Sequence, residues 1–171
     1  MTALLFVDAN VLLYAHDRSE PVKRPRAMAW LEYLWRERLG RTSTQVLSEV
    51  YVNLTRRSRP SFTAEEAWQR VSRYFEWDPL PADEKLMRRA REVEARWRIS
   101  WWDSMVVAAA QLQDCEILLT EDLQDGGMFG SITVRSPFTL ELRQAVAPYT
   151  VAPLAARLHR PRGRPRRTAL A

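Results

Sequence analysis

The sequence predicts an α/β fold: a three-layer α/β/α sandwich with a central parallel sheet, plus a disordered basic C-terminal tail. Three observations carry that expectation. Residues 4–7 are a short apolar run that passes at once into a helix through Asp8-Ala9-Asn10. Residues 116–119 repeat the pattern and end at Thr120-Glu121-Asp122. Amphipathic helical patterns fill the chain between them, and strands separated by helices pair in parallel in a sheet covered on both faces.

Taken in order, the first strand puts Asp8 at its carboxyl end, with a helix running from Val11. A polar loop follows at residues 16–21. Residues 26–39 then place Ala27, Trp30, Leu31, Leu34 and Trp35 on one helical face, with Gly40 as the stop. Residues 41–43 read as a short strand. Ser43 or Thr44 caps a helix to about residue 57, on which Val46, Leu47, Val50, Tyr51 and Leu54 share a face and Glu49 lies beside it. Pro60 breaks the chain. Thr63-Ala64-Glu65-Glu66 is a capping box that opens a helix to about Tyr74. Phe75-Glu76-Trp77 reads as a strand ending before Pro79. A charged helix spans residues 83–97. Ser100 and Asp103 have capping-box spacing and lead into a nearly all-apolar, buried helix. After the second strand, residues 123–127 form a turn and residues 132–134 a third strand.

Composition bounds the rest. A chain of 171 residues with 46% hydrophobic content and seven tryptophans builds one folded domain. No apolar run approaches a membrane span, and no secretion signal is visible at the N-terminus. Cys115 stands alone, so no internal disulfide forms, which fits a cytoplasmic protein. One cysteine and two distant histidines make a zinc site a poor fit. The net charge of +5 is not spread evenly. Residues 151–171 hold six arginines and no acid, leaving 20 basic against 21 acidic residues in the body. The domain boundary is therefore placed at residue 145, with 146–171 as a basic arm.

Each acid has a plain explanation: Asp8 or Asn10 as a helix cap, Glu49 as a solvated helix residue, Asp103 as part of a capping box. Together they converge. Asp8 and Asp122 end two buried strands, at the rim where open α/β sheets bind ligands. Asp103 opens a buried helix, and Glu49 flanks the core face of another. Four acids brought together repel one another, and a hard divalent cation with oxygen ligands answers that problem. Such a site polarises a phosphoryl oxygen and activates water, so the chemistry implied is phosphodiester hydrolysis. A haloacid-dehalogenase-type phosphatase needs a second aspartate two residues after Asp8, where this chain has Asn10.

The segments Phe6-Val7-Asp8-Ala9-Asn10-Val11-Leu12-Leu13-Tyr14, Ser48-Glu49-Val50, Trp102-Asp103-Ser104-Met105-Val106-Val107-Ala108-Ala109-Ala110 and Leu119-Thr120-Glu121-Asp122-Leu123-Gln124-Asp125-Gly126 resemble the PIN-domain ribonucleases. Within that family the likeness is to the VapC-type toxins of bacterial toxin–antitoxin pairs. It covers roughly residues 3–140. The resemblance implies a nuclease domain over residues 1–145, RNA cleavage dependent on magnesium or manganese, inhibition by a cognate antitoxin, and a homodimer. It carries metal-ligand or catalytic roles to Asp8, Glu49, Asp103 and Asp122. It gives Asn10, Thr120 and Asp125 supporting roles.

The tail departs from the family's usual short ending. Its stretch Arg160-Pro161-Arg162-Gly163-Arg164-Pro165-Arg166-Arg167 resembles an AT-hook, whose Arg-Gly-Arg-Pro core lies in the minor groove of AT-rich DNA. The plainer reading is an arm that gathers any polyanion, RNA included. The alternative function is thus a DNA-binding protein that uses Arg160, Arg162, Gly163, Arg164, Arg166 and Arg167 on a nuclease-like scaffold.

Overall fold

The protein is described by a computed structural model over residues 3–56 and 62–140. The expected residues of the tail, the domain boundary at 145 and the break at Pro60 lie outside that range. The sheet holds β1 (Leu5–Val7), β2 (Gly40–Arg41), β3 (Ile117–Leu119), β4 (Met128–Phe129) and β5 (Ile132–Arg135), in the order β2-β1-β3-β5-β4. β1 pairs in parallel with β2 and β3, and β3 in parallel with β5. Phe6, Val7, Leu118, Leu119, Ile132 and Val134 are sealed from solvent. In β1 and β3 this is the double-sided burial that an apolar run without alternation foretells, whereas β5 alternates buried and half-buried residues.

Flanking the sheet are α1 (Ala9–Tyr14), α2 (Lys23–Glu37), α3 (Thr44–Arg56), α4 (Ala64–Ser72), α5 (Glu84–Trp97) and α6 (Trp101–Leu112). Every residue of α6 from Ser104 to Ala110 is buried, as its composition requires. No described helix is long and apolar enough to cross a membrane.

Four local expectations need correction. α2 begins at Lys23, ahead of Arg26, because Pro25 sits in the first turn, where a missing N–H costs nothing. Gly40 is not its stop. Arg38 takes the left-handed conformation (φ 58°) and its N–H reaches the carbonyls of Leu34 and Trp35. Gly40 instead belongs to β2, where a Cβ would stand 2.6 Å from the Trp77 ring. Residues 75–77 are not a strand but the end of a 3₁₀ helix, Arg73–Trp77, that continues α4. Three-residue periodicity puts Tyr74 and Trp77 on one side of that turn, with ring centroids 5.6 and 5.1 Å from Trp35. Burial of both rings overrides the strand propensity of an aromatic run. Last, the sheet is not wholly parallel. β4 pairs antiparallel with β5 across the two-residue turn Gly130-Ser131, Gly130 having φ 68°. A two-residue strand is too short to show a period in the sequence.

The topology fixes where a ligand site belongs. β1 lies between β2 and β3, so the chain runs from β1 out to β2 on one side and then crosses back to β3 on the other. The carboxyl ends of β1 and β3 border the resulting crevice.

Candidate acid site at the ends of two strands

Asp8 follows β1 directly, and its N–H donates to the Leu119 carbonyl at 3.1 Å. That bond continues the β1–β3 ladder, in which Val7 faces Leu119, and brings Thr120 beside Asp8. Asp8 also caps α1: its Oδ1 accepts from the Ala9 N–H at 2.7 Å. The capping expectation therefore holds, and it occupies one oxygen of the carboxylate. The cap uses Oδ1, and Oδ2 accepts from the Thr120 hydroxyl at 2.7 Å.

Thr120, fully buried, is the hub. Its Oγ1 donates to Asp8 and accepts from Asn10 Nδ2 at 2.9 Å and from the Asp122 N–H at 3.1 Å. Asn10, two residues into α1, also donates to Asp122 Oδ2 at 3.0 Å and lies 3.4 Å from Asp8 Oδ2. Asp8, Asn10, Thr120 and Asp122 thus form one network, assembled from a strand end, a first helical turn and a second strand end. Burial, and then the charges of Asp122 and Glu49, push the Asp8 carboxyl up to about 6, against the hydrogen bonds from Thr120 and Ala9. Glu49 is exposed on α3 and reaches Asp8 through its field.

The two other acids stand differently. Asp103 lies in the first turn of α6, where its N–H donates to the Ser100 hydroxyl at 3.1 Å and its Oδ2 accepts from that hydroxyl at 2.6 Å. Asp125 is turned to the chain beyond β5. It accepts from Arg135 Nε at 3.1 Å, the Ser136 N–H at 3.0 Å and the Thr139 hydroxyl at 2.9 Å. Burial opposes its ionisation, but those bonds outweigh it and hold the carboxyl below its usual range.

Fit to a divalent cation can be judged on the donors. They are carboxylate and amide oxygens, suited to a hard ion. Asn10 Oδ1 is buried without a hydrogen-bond partner among the described residues. A carboxylate raised toward neutrality by burial, and then by neighbouring acids, and a partnerless buried acceptor beside it are what a cation would satisfy. Among the described residues no three acidic, histidine or cysteine side chains stand close enough together to enclose an ion. The donor chemistry fits, therefore, with Asp8 and Asp122 held together and Glu49 and Asp103 standing off.

One feature of this rim was not anticipated. Lys23 at the start of α2 lies 2.6 Å from Glu121 Oε1, donates to the Tyr14 hydroxyl at 3.0 Å, and sits 4.5 Å from the centre of the Tyr14 ring. The bond to Glu121, then that to Tyr14, raises the Lys23 ammonium above its usual range. Asn10 and Tyr14 are four apart on α1 and so share a face. Through them α1 holds both Asp122 and, by way of Lys23, Glu121. Phe138 packs edge-on against Tyr14 at 5.2 Å, and its carbonyl accepts from Arg26. No local sequence signal links a lysine at 23 to a glutamate at 121.

Comparison with curated proteins yields no match. Among solved structures the chain is similar to the crystal structure of Mycobacterium tuberculosis VapC20, a sarcin-ricin loop cleaving toxin. The TM-score is 0.52 at 19% identity, over 69% of this chain and 91% of that one. At that identity the likeness speaks to the fold. The PIN domain pattern matches residues 5–124, a span that takes in Asp8, Asn10, Glu49, Asp103, Thr120 and Asp122. A match over most of the chain, joined to the acid network at the ends of β1 and β3, assigns this protein to the PIN domain family.

Proposed function

We propose that the protein is a metal-dependent endoribonuclease, the toxin of a toxin–antitoxin pair, acting on RNA at Asp8, Glu49, Asp103 and Asp122 with magnesium or manganese. The observation that carries the reading is the Asp8–Thr120–Asn10–Asp122 network at the switch point of the sheet. Asp8 and Asp122 would hold the ion, with Glu49 and Asp103 as the further acids. Once bound, it supplies a polarised phosphoryl oxygen and an activated water for in-line attack.

The chain's own residues do the rest. The Thr120 hydroxyl fixes the Asp8 oxygen that the helix cap leaves over, so the carboxylate keeps one orientation. The Asn10 amide spans Asp8 and Asp122 and spreads donor density between two repelling acids. Lys23 holds Glu121, and with it the chain entering Asp122, against α1. The Asp8 carboxyl, pushed up to about 6, keeps a proton in mildly acid solution and yields it near neutrality, where a cation can replace it. An antitoxin, a second copy and RNA are the partners of this reading. The nuclease domain is taken as residues 1–145, with 146–171 as its basic arm. VapC20's cleavage of the sarcin-ricin loop makes structured ribosomal or transfer RNA the first substrates to try.

The test is cleavage of a structured RNA by purified protein. Activity is expected to vanish in EDTA, to return with magnesium or manganese, and to be absent from Asp8→Asn in any buffer. Cleavage that survives chelation would remove the metal mechanism.

A further inference from the structure

A second cluster lies at the other end of α1. His16 follows that helix, and its ring meets Phe62 edge-on at 6.1 Å. The Arg70 guanidinium lies over the same Phe62 ring, 4.1 Å from its centre. Arg24 turns its Nε toward the Ala15 carbonyl at 3.4 Å. Arg73, exposed at the start of the 3₁₀ helix, is near enough for its charge to act on the same imidazole. Burial first, then the charges of Arg70, Arg24 and Arg73, push the His16 imidazole down to about 4. Arg24 and Arg70 are half-buried, so their charges are partly stripped of water.

These arginines differ from others on the surface. Arg88, Arg89 and Arg91 on α5 each pair with a glutamate. Among the described residues Arg24, Arg70 and Arg73 form no ion pair. Arg70 Nη1 donates to the Glu66 carbonyl at 2.8 Å, and the bonds from Thr63, then the charge of Arg70, hold the Glu66 carboxyl below its usual range without an ion pair between the two side chains. Glu66 accepts from the Thr63 N–H at 2.8 Å and its hydroxyl at 2.9 Å, and Asp17 accepts from the Ser19 N–H at 2.8 Å. Three like charges that all act on the His16 imidazole, two of them on half-buried arginines, repel one another, and an anion among them would offset that repulsion. Guanidinium suits phosphate by its planar fork of donors.

We infer that Arg24, Arg70 and Arg73 form an anion subsite that takes a backbone phosphate of the RNA strand being cut. The inference rests on the ribonuclease reading and extends it to how substrate is held. α1 joins the two places: its N-terminus is capped by Asp8, its C-terminus leads to His16, and six residues span about 9 Å. One strand laid along α1 can therefore reach the acids with its scissile phosphate and the arginines with a neighbouring one. The repelling acids and the repelling arginines are then matched by one polyanion and its counterion.

The test uses the full chain carrying Asp8→Asn, free of metal, so that binding is read without cleavage. Single-stranded RNA and inorganic phosphate are titrated separately while the His16 imidazole is followed by NMR, with His16→Gln identifying the signal against His159. RNA is expected to shift the His16 signal and raise its titration point. The triple variant Arg24→Gln, Arg70→Gln, Arg73→Gln is expected to lower the slope of log affinity against log salt by about 2. In the Asp8 enzyme the same three changes raise KM about tenfold while kcat stays within about twofold. Arg24→Gln and Arg73→Gln alone, which leave the Arg70–Phe62 contact intact, each lower the slope by about 0.7 and guard against a folding defect. An unmoved His16 signal with RNA, or an unchanged salt slope in the triple variant, overturns the subsite. So does a polyglutamate peptide that moves His16 where RNA does not, which assigns the cluster to an acidic protein. If the Asp8 protein cuts no RNA yet RNA still moves His16, the nuclease reading fails and the subsite stands.

Discussion

Asp8 and Thr120 concentrate the chemistry of this protein in two side chains. The Asp8 carboxyl is raised from an ordinary 3.8 to about 6, so ionising it costs the folded state. The penalty is absent at pH below 4, grows between 4 and 6, and is fully present above 6. Asp8→Asn removes it. The variant is expected to lose RNA cleavage yet melt no lower than the parent at pH 8 without metal, with a gain of up to about 3 kcal/mol. Thermal melts at pH 4 and 8 check the sign, and unfolding of the variant at pH 8 would favour a purely structural cap. Thr120→Val makes the complementary change. It deletes the hydrogen bond that lowers the Asp8 carboxyl, takes one acceptor from the Asn10 amide and strands the Asp122 N–H. It should cost about 1–3 kcal/mol in stability, lower manganese affinity about tenfold or more, and move the acid limb of the pH–rate profile upward. Manganese titration and the pH profile read those effects separately from folding.

Among the elements, β2 shows how tightly the aromatic side of the fold is set. A Cβ on Gly40 would stand 2.6 Å from the Trp77 ring, itself wedged against Trp35 and Tyr74. Gly40→Ala is therefore expected to cost about 1–3 kcal/mol and lower the melting temperature by about 3–8 °C, with RNA cleavage retained below the transition. The same contact marks the limit of what the sequence displays. Local patterns were legible: the apolar strands, the capping box at Thr63 and Glu66, the buried face of α6, and acids placed at two strand ends. Contacts between distant residues were not. Gly40 looked like a helix stop because its true neighbour is Trp77. Residues 75–77 looked extended because the burial of Tyr74 and Trp77 against Trp35 is tertiary. At the site, the capping roles of Asp8 and the pairing of Asp103 with Ser100 were both readable. The Thr120 hub could be placed only once the β1–β3 register set it beside Asp8, and Lys23 needed the folded contact with Glu121.

At the scale of the whole molecule, α1 is a short bar with acids at one end and arginines at the other. The two ends respond oppositely to pH. His16 is pushed down to about 4 from 6.5, so folding loses stability as pH falls through that window. Asp8 does the reverse, losing stability as pH rises from 3.8 toward 6. In phosphate-free buffer, the stability gained by Asp8→Asn over the parent should grow as pH climbs from 4 to 6, while that gained by His16→Gln should shrink. Denaturant midpoints across that range check both slopes, and parallel slopes would contradict the assigned charge states. All of this serves the claim that the crevice between β1 and β3 cuts RNA. The most direct measurement is sequencing of RNA 5′ ends after brief induction of the parent chain and of Asp8→Asn. New ends at defined positions with the parent and none with Asp8→Asn are the predicted result; the same ends with both, or no new ends with the parent, would contradict it.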